Sequence, residues 1–473
     1  MPAPASMAAQ AGENVAMPTT SGADMPAGAV IGTKMQDQSE EALLARMAWR
    51  LVPMVTIVYL IAYIDRANIG FAKLTMLPSL HLTEAQYGFG SSLFFIGYLL
   101  FEVPSNVAMN HFGARAWISR IMFTWGLTTI LLAFSPGVTF FEACRFILGA
   151  AEAGLYPGII CYLALWFPEK QRTGLIGFMT LGSSLGNMFG SAIGGASLDL
   201  NGLAGLQGWQ WVFITTGVPA VLMTLVIWGW LPSRPDTARF LSEAEKATIK
   251  AALQRDPPAH KLAGGARWSA GSVATVAVLS AGWGAIAVAI YGLAYWLPTL
   301  VKGFGVSNST NGLLNMLPWG LTSVVLLVLP RRLTNPRKVL WAAMAACVGG
   351  IALFLVSVLP VSNTVRFVAL VLGAPTLYLM IPCFWAVPPR VLPEAFLKGA
   401  SGAAALAVIA TGSSVGGFLA QNAMPWVAGV TGSTSAPMLV PMTCLVLLGI
   451  GTAVVWRFVG VSRLDSRDSR ARG

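Results

Sequence analysis

Charge is what this sequence has least of. Only 10% of its 473 residues are Asp, Glu, Lys or Arg, against about 25% in an ordinary soluble domain. So little polar surface cannot cover a globule of this length, which excludes a soluble enzyme and a disordered chain. Cysteine is also sparse: Cys144, Cys161, Cys347, Cys383 and Cys444 all fall in apolar stretches, with no CxxC pair. That pattern excludes a disulfide framework and leaves no metal centre or cofactor expected. The spans and loops also lack a DxD run, a His pair or a nucleophile–base constellation, so no enzyme activity is expected.

What is present is hydrophobicity in blocks. Apolar residues make up 55% of the chain and the mean hydropathy is +0.68. The blocks run to about 20 residues, the length that crosses about 30 Å of hydrocarbon as a helix. Twelve spans are predicted, at 50–73, 87–110, 116–135, 139–167, 172–198 and 209–231, then 272–301, 310–330, 339–359, 365–387, 396–421 and 437–459. The resulting organisation is a disordered tail at 1–39, a six-helix bundle at 40–231, a polar linker at 232–268 with a helix from Ser242 to Arg255, a second bundle at 269–460, and a tail at 461–473.

The net charge of +11 would suggest nucleic acid in a soluble chain. Here it reports topology. With the N-terminus inside, 25 of the 30 Lys and Arg lie on inner segments, three on outer loops (Lys73, Lys302 and Arg366) and two within spans. This asymmetry predicts a multi-pass protein of the cell inner (plasma) membrane with both termini cytoplasmic.

The two halves echo one another. Tyr59, Ala62 and Tyr63 in the first span match Tyr291, Ala294 and Tyr295 in the seventh, and GSSLG at 182–186 matches GSSVG at 412–416. Such parallel repeats mark transporters whose substrate site lies near the midplane between halves. Gly182, Gly186, Gly190 and Gly194 also recur every four residues, a pattern for close helix packing.

Charged side chains inside spans are expensive and point to function. The first span carries Asp65 and Arg66; the fourth carries Arg145 and Glu152. At about 1.5 Å of rise per residue the two arginines reach similar depths, and Glu152 lies two turns from Arg145 on the same face. The four are expected to share one cavity, where Arg66 and Arg145 bind a carboxylate and Glu152 and Asp65 exchange protons. Tyr63, Tyr98, Tyr295, Asn187 and Ser413 are further candidate substrate contacts, together with Tyr291, Tyr378 and Trp385 as possible stacking rings. Glu102, in FEVPSN at 101–106, is expected at the inner gate.

Beyond these patterns, the fragments YIDRANIGFAKLTM (63–76), GYLLFEVPSN (97–106), GARAWISRI (113–121), RFILGAAEAGLYPG (145–158) and LPSRPDTARFLSEAEK (231–246) resemble the anion:cation symporter family of the major facilitator superfamily. Within it the chain looks most like the tartrate, phthalate, hydroxyphenylacetate and nicotinate permeases. The resemblance implies an all-α integral membrane protein with twelve transmembrane helices in two pseudo-symmetric six-helix bundles. It maps the family's acid and arginine of the first span to Asp65 and Arg66, and the arginine and glutamate of the fourth to Arg145 and Glu152. The loop at 110–115 keeps Gly113 and Arg115 of the superfamily's gate signature but lacks its acid.

The function expected is proton-coupled uptake of a small organic anion by alternating access, by a monomer in the bilayer and without nucleic acid. An exchanger or exporter of the same fold is the alternative; a channel or an integral-membrane enzyme is the alternative of a different class.

Overall fold

Side-chain caps mark where the chain turns at the edges of its helices. Thr83 and Gln86 form a capping box, with Thr83 Oγ1 accepting the Gln86 N–H at 3.2 Å and Gln86 Oε1 accepting the Thr83 N–H at 2.9 Å. Asn335 Oδ1 accepts the Lys338 N–H at 2.8 Å, and Ser307 Oγ the Thr310 N–H at 3.2 Å. Each satisfies a donor that a helix start leaves open.

The computed structural model describes residues 27–255, 268–333, 335–392 and 400–459. Contacts divide the chain into two units, Met1–Arg46 and Met47–Gly473. In the first, the described residues are helical from Ala27, so the region read as a structureless tail to residue 39 is helical over 27–39. Residues 1–26, part of the linker and the tail at 461–473 lie outside the described residues.

The first half consists of α1 (Ala27–Ser79), α2 (Glu84–Phe112), α3 (Ala114–Leu132), α4 (Val138–Glu152), α5 (Leu155–Ala164), α6 (Glu169–Leu198) and α7 (Gly208–Trp230). The linker contributes α8 (Glu243–Gln254), at the predicted place. The second half consists of α9 (Ala270–Lys302), α10 (Asn308–Val328), α11 (Pro336–Val358), α12 (Asn363–Trp385), α13 (Ala400–Thr431) and α14 (Leu439–Val459). Ten spans among the described residues are long and apolar enough to cross a membrane. Helices α3 and α6 complete the twelve. Arg115, Arg120 and several hydroxyls dilute the apolarity of α3, and Gly, Ser and Asn do the same in α6.

The repeat is visible in the packing. Helix α6 lies on α1 through the predicted glycines: a Cβ on Gly186 would stand 2.5 Å from Tyr63 Cβ, and one on Gly190 2.9 Å from Ala67 Cβ. In the second half Gly412 and Gly416 of α13 approach the backbone of Ser280 and Gly284 in α9 in the same way. The halves meet where α6 packs on α10 and α2 on α13.

The fourth span differs from its prediction as one unbroken helix. It breaks at Ala153 and Gly154, where Gly154 takes φ +84°. That conformation favours glycine, and a Cβ there would also meet Ser105 Oγ at 2.5 Å. The break leaves Glu152 at the end of α4.

Candidate functional site

A cavity of about 490 Å3 lies between the halves, lined by α1, α2, α5, α6, α9, α10, α12 and α13, within the range of pockets that hold small molecules. It runs from Tyr291 toward Pro330 and Trp385, at the ends of α10 and α12 on the side that carries the linker. On the far side Tyr87, Tyr295, Trp296, Gln421 and Met424 leave a void of only about 10 Å3.

Arg66 reaches this cavity from α1 and meets Glu152 of α4. Its Nε donates to Glu152 Oε1 at 2.9 Å and its Nη2 lies 2.6 Å from the same oxygen. Glu152 Oε2 is buried without a hydrogen-bond partner. Arg66 Nη1 donates to the Tyr291 hydroxyl at 3.3 Å, which ties the first half to the second. The guanidinium also lies 5.3, 5.4 and 5.5 Å from the ring centres of Tyr63, Phe94 and Tyr98, close enough for cation–π attraction.

The other two expected charges do not join them. Asp65 points into the first half, where it accepts from Trp125 Nε1 at 2.7 Å, Asn68 Nδ2 at 2.9 Å and Thr129 Oγ1 at 3.1 Å. Consecutive helical residues point about 100° apart, so Asp65 and Arg66 cannot face the same cavity. Arg145 lies seven residues nearer the far side than Glu152, beneath the closed layer, and lines no part of the cavity. Its Nη2 donates to the Ser91 carbonyl at 3.1 Å, it sits 5.0 Å from the Phe94 ring centre, and its buried Nε has no partner.

Tyr63, Tyr98 and Ser413 line the cavity as expected. Tyr295 instead belongs to the far-side layer, one helical turn beyond Tyr291. Asn187 is buried beside the cavity and donates to the Tyr378 hydroxyl at 3.2 Å, so it positions a lining residue. Glu102 lines the cavity toward the linker side. Arg115 stands at the start of α3, 5.5 Å from the Trp228 ring centre.

Tyr59, Tyr156, Phe94, Phe95, Trp283, Thr180 and Ser414 also line the cavity and were not foreseen. Spacing could have found Tyr59, since residues 59, 63 and 66 share one face of α1. An aromatic residue in an apolar run otherwise gives no sign of whether it faces lipid or a cavity. Lys73, expected in an outer loop, is buried in α1; its Nζ is 2.8 Å from Glu84 Oε2 and 3.6 Å above the Trp296 ring.

The Major Facilitator Superfamily family model matches residues 55–421. A protein of Agrobacterium vitis whose name assigns it, provisionally, to tartrate transport is 34% identical over 424 residues, covering 89% of this chain and 96% of its own. A quinolone resistance transporter of Acinetobacter baumannii is 35% identical over 411 residues, covering 84% and 91%. Among solved structures, an inward-facing, unoccupied bacterial homolog of the human lysosomal transporter Spinster superposes with a TM-score of 0.66 at 19% identity, covering 88% and 97%. A D-xylose-proton symporter gives a TM-score of 0.65 at 15% identity, covering 86% and 97%. With its described helices forming twelve spanning segments in two repeated halves around a central cavity, and a family match over most of its length, the chain belongs to the Major Facilitator Superfamily and is a multi-pass membrane transporter, not an enzyme.

Proposed function

We propose that this transporter imports a small organic carboxylate together with protons, by alternating access, with its linker side in the cytoplasm of the inner (plasma) membrane. The observation that carries this reading is the pair formed by Arg66, which lines the cavity, and Glu152 buried behind it, bonded through one carboxylate oxygen with the other unpartnered. An always-charged guanidinium forks onto carboxylates.

When the cavity is empty, Arg66 and Glu152 neutralise each other, so the carrier reorients without moving a bare charge through the membrane. A cargo carboxylate that takes the guanidinium strands Glu152. A buried unpaired carboxylate costs several kcal/mol, and a proton on Glu152 removes that cost. One proton per monocarboxylate leaves the group of Arg66, Glu152 and cargo neutral. In this scheme Asp65, held by three donors, anchors α1 to its own half instead of exchanging protons. The tartrate name of the A. vitis relative supports the cargo class.

The test is uptake by the purified protein in liposomes. Accumulation should follow an imposed inward proton gradient without sodium. Uptake that requires sodium and ignores pH would overturn the coupling; a steady, unsaturable current in bilayers would overturn the carrier.

A further inference from the structure

We infer that the cargo is a flat aromatic monocarboxylate and that Glu102 discriminates against dianions. This rests on the carboxylate-import reading and narrows it to one substrate class.

The first observation is the composition of the cavity wall. Aromatic residues are 10% of the chain but 10 of the 26 lining residues, and six of the nine tyrosines are there. They come from both halves. Tyr63, Phe94 and Tyr98 surround the Arg66 guanidinium. In the second half the Trp283 and Trp385 ring centres stand 5.3 Å apart, edge to face. These rings already pack on one another or on Arg66, and the faces they leave toward the cavity offer a flat aromatic guest a stacking surface. A hydroxy-dicarboxylate needs the opposite wall, rich in donors and with a cation for each carboxylate.

The second observation is the charge of that wall. Among the described lining residues Arg66 is the one cation and Glu102 the one carboxylate. A first carboxylate finds Arg66. A second finds either ring faces or Glu102, which carries no ion pair among the described residues. Arg145 does not supply the missing cation: it lies outside the cavity, and its guanidinium shares the Phe94 ring with Arg66, at 5.0 and 5.4 Å. Like charges that must be desolvated together repel, a form of specificity by exclusion.

The experiment uses the full-length protein in liposomes with radiolabelled benzoate. Unlabelled 4-hydroxybenzoate, phthalate, L-tartrate and butyrate are the competitors. Benzoate should accumulate under an inward proton gradient. 4-Hydroxybenzoate should compete at least tenfold more strongly than phthalate, tartrate or butyrate. Glu102→Gln should bring phthalate to within about threefold of benzoate. Trp283→Ala and, independently, Trp385→Leu should raise the half-saturating benzoate concentration at least fivefold.

Proton-driven uptake of labelled tartrate without uptake of benzoate would overturn the aromatic cargo while leaving proton-coupled carboxylate import standing. Benzoate exchange that ignores the proton gradient would do the reverse. Phthalate competing equally well in wild type and Glu102→Gln would remove Glu102 as the filter. If folded protein neither accumulates nor exchanges any of these acids, both readings fall.

Discussion

Arg66 and Glu152 meet through a single carboxylate oxygen: Oε1 takes both Nε and Nη2, while Oε2 lies buried without a partner. The arrangement holds the guanidinium in place yet leaves one oxygen of the acid open to a proton. It also makes the two residues separable by mutation, because each has a distinct part in the proposed cycle.

Glu152→Gln keeps an oxygen for Arg66 and removes the exchangeable proton. The variant should fold and carry out counterflow of labelled cargo, but lose at least tenfold in accumulation driven by a pH gradient. Accumulation at the wild-type level would take the coupling role away from Glu152.

Arg66→Lys keeps the charge but loses the planar fork and its reach to both Glu152 and Tyr291. A hydrogen bond to a charged group is worth about 1.5–3 kcal/mol, so the half-saturating cargo concentration should rise about 10- to 100-fold. Wild-type affinity would assign Arg66 to structure alone.

Asp65 offers the contrast. Its two oxygens satisfy Trp125, Thr129 and Asn68 inside the first half. Asp65→Ala strands Trp125 and Thr129 and leaves Asn68 with Thr216 alone, at about 1–3 kcal/mol for each donor left buried and unpaired, and should markedly lower the melting temperature in detergent. Trp125→Phe removes one donor to the carboxylate and should cost about 1.5–3 kcal/mol, with the pH dependence of uptake unchanged. A shifted pH profile in Trp125→Phe would bring Asp65 back into proton exchange.

These contrasts mark how far the sequence could be read. The membrane class, the spans and the repeat were legible because hydrophobic length and glycine spacing act along the chain. Arg66 and Glu152 were legible as charges where charge is expensive. Their pairing with each other, and the separation of Asp65 and Arg145 from them, were not. Depth follows from counting residues, whereas the direction a side chain faces depends on which helices surround it. The break at Ala153–Gly154 was hidden for a related reason, since it depends on how closely Ser105 of α2 approaches.

The glycine seam gives a prediction about stability. A side chain at Gly186 would push on Tyr63 Cβ and on the Leu60 carbonyl, 2.7 Å away. Gly186→Val should cost about 1–3 kcal/mol by overpacking and weaken cargo binding by moving Tyr63. Gly229→Ala, with nothing within 4 Å, is the control and should leave both unchanged. Equal effects from the two would show that helix propensity, not the seam, is being measured.

The far-side closure has its own charge. Asp199, just past α6, accepts from Asn308 Nδ2 at 3.0 Å and from the Ser309 N–H at 3.2 Å, and contacts the Ser309 hydroxyl, all at the start of α10. Those bonds, the Ser309 hydroxyl first, hold its carboxyl below the usual carboxylate value. A depressed value in the closed form means that closure gains from Asp199 at pH above the ordinary carboxylate range. The gain is lost as pH falls through the depressed value. Asp199 is exposed, so solvent screening keeps the effect small, no more than about fivefold in population. Spin labels at Leu203 and Val361, on far-side loops of the two halves, should report a longer distance in Asp199→Ala than in the parent at neutral pH. The difference should vanish in acid strong enough to protonate the parent. Distances that match at neutral pH would leave far-side closure to the packing of α6 on α10 and α2 on α13, with Asp199 no more than a cap on α10.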